Sequence, residues 1–130
     1  MMTPVYNQLE LKAARSQPLA VIFLSVNWSV FSHQSRSNVE QSIALRQAEQ
    51  SPEAYYIADV SEQSGELWEA LQEWLHADDV ANDNVLRSGS GPVLWVRSGS
   101  VIYQMIDPMN HSPVNIAAVT SAVFQSARSR

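Results

Sequence analysis

The chain has 130 residues, 45% hydrophobic and 16% charged, a balance that suits one folded domain over 1–130 and excludes a disordered chain. Eight basic against thirteen acidic residues leave a net charge of −5, so no basic footprint exists for a nucleic-acid partner. Cysteine is absent, which excludes disulfides, thiolate nucleophiles, zinc–thiolate sites and iron–sulfur ligation by this chain's own residues.

In chain order, Thr3-Pro4 reads as a helix opening, a hydroxyl cap followed by proline. Val5, Leu9 and Ala13 then recur on one helical face until Ser16-Gln17-Pro18 breaks it. No basic stretch followed by an apolar core stands at this end, so no signal peptide is expected. Leu19 to Val26 is a nearly unbroken apolar run, short enough to read as a strand buried on both faces, as in the middle of a parallel sheet. Its apolar part, Leu19 to Leu24, is far short of the roughly 20 residues that cross a bilayer. A cytoplasmic protein without membrane association is therefore the expectation.

A polar stretch from Ser32 to Asn38 leads into a helix through Val39, Ile43 and Ala44, which ends before Ser51-Pro52. Ala54 to Val60 is a second strand. Ser64 caps an amphipathic helix whose stripe is Leu67, Trp68, Leu71, Trp74 and Leu75. Ala77 to Gly91 is turn-rich, with Val80, Val85 and Leu86 as anchors. Val93 to Val96 and Val101 to Ile106 are strands joined by Arg97-Ser98-Gly99-Ser100, the composition of a short hairpin in which glycine supplies the positive φ. Pro113 opens a last helix carrying Ile116, Val119, Val123 and Phe124. The order α-β-α-β-α-β-β-α predicts an α/β fold with a mixed four-stranded sheet flanked by helices. Its first two strands are parallel and its last two form an antiparallel hairpin.

Two segments carry a resemblance. Phe23-Leu24-Ser25-Val26-Asn27-Trp28-Ser29-Val30-Phe31-Ser32 resembles the strand and active-site turn of the thioredoxin-like family, where a tryptophan precedes a Cys-X-X-Cys motif at a helix N-terminus. Trp28 stands at the tryptophan, and Ser29 and Ser32 stand at the two cysteines. Gly91-Pro92 followed by Val93 to Ile102 is similar to the family's cis-proline loop, strand, glycine turn and strand, and Asp59 matches a common acid at the end of the second strand. The resemblance implies a thioredoxin-like fold with a cis Gly91–Pro92 bond. It also implies that Phe23 replaces the buried acid that shuttles a proton in many members.

Thiol–disulfide exchange needs a thiolate, and a serine hydroxyl neither ionises at neutral pH nor forms a mixed disulfide. No redox activity and no catalytic residue is therefore expected. Trp28, Ser29, Val30, Phe31, Ser32, Gly91 and Pro92 form the candidate binding surface, and a protein or peptide is the expected partner of a redox-inactive interaction or scaffolding module. In the family this surface holds extended peptides or glutathione. The enzymatic alternative is a glutathione-binding or glutathione-transferase-like protein in which the Ser29 hydroxyl stabilises the glutathione thiolate.

Plainer roles compete for the same residues. Serine is a favoured helix cap, which would account for Ser29 and Ser32. Trp68 and Trp74 belong to a core stripe. His33 is a surface residue without a triad, His76 suits a helix C-terminus and His111 a polar loop, so no metal or cofactor is called for. A homo-oligomer formed through an exposed strand or the Trp95 face is the remaining possibility.

Overall fold

A computed structural model describes residues 2–80 and 85–128, with side chains as far as Gln125. The sheet has five strands in the order β1-β3-β2-β4-β5, namely β1 Thr3–Val5, β2 Leu19–Ser25, β3 Ala54–Asp59, β4 Val93–Arg97 and β5 Ser100–Met105. The helices are α1 Gln8–Arg15, α2 Val30–Ala48, α3 Glu66–Ala77 and α4 Pro113–Arg128, with a 3₁₀ turn at Pro108–Asn110. Among the described residues, no helix is long and apolar enough to cross a membrane.

The central strand is β2, whose run from Ala20 to Leu24 is buried. It pairs parallel with β3, Ile22 opposite Tyr56, and antiparallel with β4, Phe23 opposite Val93. Alternate side chains therefore feed two cores, one on each face of the sheet. Ala20, Ile22 and Leu24 join Leu11 and Ala14 of α1 and Trp68, Leu71, Trp74 and Leu75 of α3. Val21 and Phe23 join Val39 and Ile43 of α2, Trp95 of β4, and Ile116 and Phe124 of α4. The hairpin turn uses Ser98 at φ 48° and Gly99 at φ 92°, the pair of positive angles that a two-residue turn between twisted strands requires.

Five expectations are corrected. Thr3-Pro4 does not open a helix; Thr3–Val5 is an edge strand paired parallel with β3, which makes the sheet five-stranded. A proline without an N–H is tolerated at such an edge, and the Asn7 side chain caps α1 instead, accepting from the Glu10 amide at 2.8 Å. The buried face of α1 is accordingly Leu11 and Ala14, while Leu9 is 77% exposed and Ala13 also faces solvent.

The helix expected from Val39 begins at Val30 and runs straight through the polar stretch. Its core-facing serines are satisfied internally: the Ser35 hydroxyl donates to the Ser90 carbonyl and that of Ser42 to the Val39 carbonyl, each at 2.6 Å. Helix α3 is preceded by Gly65 at φ 97° rather than capped by Ser64. Trp95 offers no surface, since it is fully buried with Nε1 donating to the Thr120 hydroxyl at 3.0 Å. Of the turn-rich segment, residues 81–84 lie outside the described residues, whereas Val85 and Leu86 are buried anchors as expected.

One ionic cluster supports the core between α2 and β3. The Glu53 side chain is fully buried and takes two bonds of 2.9 Å from the Arg46 guanidinium, one of 2.8 Å from the Ser51 hydroxyl and another from the Tyr55 hydroxyl. Burial pushes the Glu53 carboxyl up, but the bonds from Arg46, Tyr55 and Ser51 outweigh it and hold the group at about 2. Burial and the bond to Glu53 push the Tyr55 hydroxyl well above its ordinary value.

Candidate functional site

The loop after β2 turns sharply at Asn27-Trp28, and Ser29 starts α2 as its N-cap. The Ser29 Oγ accepts from the Ser32 amide at 3.3 Å, and Ser29 is buried. The Ser32 hydroxyl, also buried, accepts from the Val26 amide at 2.8 Å and ties the helix back to the end of the strand. Both serines thus satisfy backbone donors that the turn would otherwise strand.

Beneath them lies Phe23, fully buried. A Cβ added to Gly91 would come within 3.0 Å of both the Phe23 ring and the Ser32 Oγ, so Phe23, Ser32 and Gly91 meet at one point. The Pro92 carbonyl accepts from the Leu24 amide at 2.9 Å and locks the loop onto β2. The expected cis bond is not found: Gly91–Pro92 is trans, and Gly91 turns the chain with φ 74°. Glycine supplies the reversal that the bond does not.

The structure divides the seven expected surface residues. Ser29, Ser32, Gly91 and Pro92 are buried, whereas Trp28, Val30 and Phe31 are exposed to 63%, 77% and 61%. The Trp28 ring lies over Gly89, where an added Cβ would stand 3.2 Å from its edge, and its Nε1 donates to the Ser61 carbonyl at 3.2 Å. Ser61 in turn accepts from the Asn27 amide through its hydroxyl at 2.7 Å, and its own amide donates to Asp59 at 2.8 Å. His33 is exposed, and its ring Nε2 bonds the Asn27 carbonyl at 2.9 Å rather than either serine hydroxyl.

Sequence reasoning missed Ser61 and Gly89, the two residues that hold Trp28 in place. An Asp two residues before a Ser is a turn signal that marks Ser61; nothing local marks Gly89. Among the described residues, no group of three His, Asp or Glu is placed to hold a metal. The turn therefore presents apolar contact area on a hydrogen-bonded base, with both hydroxyl oxygens buried and accepting from backbone amides.

No protein-family model matches the chain, and no curated protein matches it. Solved structures do. Oxidised thioredoxin from Plasmodium falciparum aligns over 94% of this chain and 97% of its own, with 10% identity and a TM-score of 0.62. Mitochondrial thioredoxin 3 from Saccharomyces cerevisiae aligns over 93% and 94%, with 13% identity and a TM-score of 0.58. A point-mutant thioredoxin from Halobacterium salinarum aligns over 93% and 90%, with 16% identity and a TM-score of 0.58. The strand order, the turn at Trp28 and these likenesses agree, and the chain has a thioredoxin fold without the cysteines of a thioredoxin.

Proposed function

We propose that residues 1–130 act as one redox-inactive, thioredoxin-like binding module of the cytoplasm, which captures a protein segment on Trp28, Val30 and Phe31. One observation carries this reading: three large apolar side chains stand out from a turn that is bolted down beneath them. Contiguous exposed apolar groups on a rigid base mark interaction sites, and tryptophan is over-represented among residues that dominate binding energy. The glutathione alternative draws no support from Ser29, which is buried and so presents no accessible hydroxyl to a ligand's thiolate.

The test is affinity capture from an extract of the source cells, comparing the natural chain with Phe31→Asp by quantitative mass spectrometry. Phe31 is exposed, so the substitution should leave the melting temperature within about 2 °C and remove one or a few proteins from the captured set. Identical captured sets from the two chains would refute the reading.

A further inference from the structure

Beside the apolar turn lies a cleft of about 360 Å³ lined by residues that include Tyr6, Asn27, Asp59, Glu62, Glu66 and Trp68. It is continuous with the turn, because Ser61 also lines it and accepts the Trp28 indole N–H. Three carboxylates thus line a cleft that adjoins the apolar turn at Trp28. Two of them also serve the fold: Asp59 holds the Ser61 amide, and Glu66 accepts from the Gln8 amide at 3.1 Å. Glu62 is exposed. One basic side chain, Arg87, stands by the cleft, its guanidinium 5.9 Å from the centroid of the Trp68 ring. The chain as a whole carries a net charge of −5, which adds a long-range attraction for cations.

We infer that the segment captured by this surface is cationic as well as apolar, placing a Lys or Arg of the partner in the Asp59–Glu62–Glu66 cleft and its apolar neighbours on Trp28, Val30 and Phe31. This rests on the binding role proposed above and gives the partner's chemistry. Apolar contact supplies area that is indifferent to charge. The carboxylates supply the selection, because a partner carboxylate there meets like charge while an ammonium or guanidinium meets its complement.

The experiment measures binding of three fluorescent peptides to the intact chain by anisotropy. All carry the same Leu and Phe residues, flanked by two Arg, two Gln or two Glu. The Arg peptide should bind about fivefold or more tighter than the Gln peptide, and the Glu peptide weakest, as expected for partly screened pairs. That preference should shrink when salt rises from about 50 to about 300 mM. It should also shrink in the Glu62→Gln/Glu66→Gln chain, which keeps the acceptor for Gln8 and leaves Asp59 in place. Equal binding of the three peptides that is lost in Phe31→Asp would overturn this inference and leave the binding module standing. An unchanged preference in the double variant would overturn the cleft assignment. No binding by any peptide would count against both.

Discussion

Glu53→Gln tests the ionic cluster that closes the core between α2 and β3. The substitution keeps shape and one acceptor, but it removes the charge that faces the Arg46 guanidinium and turns one of its 2.9 Å bonds into a donor-against-donor contact. The Glu53 side chain is fully buried and that of Arg46 is 11% exposed, so screening by water is weak. Lowering a carboxyl from its ordinary 4.5 to about 2 corresponds to roughly 3 kcal/mol of preference for the charged form in the folded chain. Because the folded value is the lower one, the unfolded chain takes up the proton first as the pH falls. The stabilisation is therefore complete above about pH 4.5 and disappears as the pH approaches about 2. Urea melts at a series of pH values from 7 downward measure this directly. The natural chain should lose roughly 3 kcal/mol more than the variant over that window, and at pH 7 the variant should be less stable by a similar amount. Parallel loss of stability in the two chains through that window would refute the assignment of the charge to Glu53.

Two further substitutions probe the packed floor of the turn. Gly91→Ala forces a Cβ to within 3.0 Å of Phe23 and Ser32 at φ 74°, and should cost about 2 kcal/mol in a denaturant melt; a loss under about 0.5 kcal/mol would show that the loop is free to move. Ser32→Ala strands the buried Val26 amide and should cost about 1–3 kcal/mol, with hydrogen exchange at Val26 accelerated; unchanged exchange at that amide would mean another acceptor serves it.

What the sequence made legible followed from signals that are local and strong. The apolar run of β2, the stripe of α3 and the Ser98-Gly99 turn each carry their geometry in a few adjacent residues, and each is found as read. The strand at Thr3–Val5 was not legible because three residues carry no period, and Pro4 after Thr3 has the chemistry of a helix start as well as of a sheet edge. Its place is decided by pairing with Tyr56 to Ala58, residues more than fifty positions away. The early start of α2 was hidden for a different reason. Ser32, Ser35 and Ser42 occupy its core face, so hydrophobic periodicity fails there even though each hydroxyl finds a backbone partner.

The candidate site divides along the same line. That Ser29 and Ser32 stand at the ends of a Trp-Ser-X-X-Ser turn was readable, but which of the seven residues reach solvent depends on Gly91, which comes from a distant loop and leaves no room for a side chain between Phe23 and Ser32. A thiol pair assisted by a buried acid needs a polar, reachable floor. Here an aromatic ring fills that floor and two hydroxyls satisfy amides above it, so the buried half of the turn is explained by stability alone. The exposed half is not. Trp28, Val30 and Phe31 leave most of their apolar surface in water, and a lone exposed apolar residue would call for no comment. Three of them within four positions are different, above all when the tryptophan is pinned by Ser61 and Gly89 with most of its ring still facing water. Anchoring a side chain in an exposed pose removes its conformational freedom before any contact is made, which favours association with a second surface.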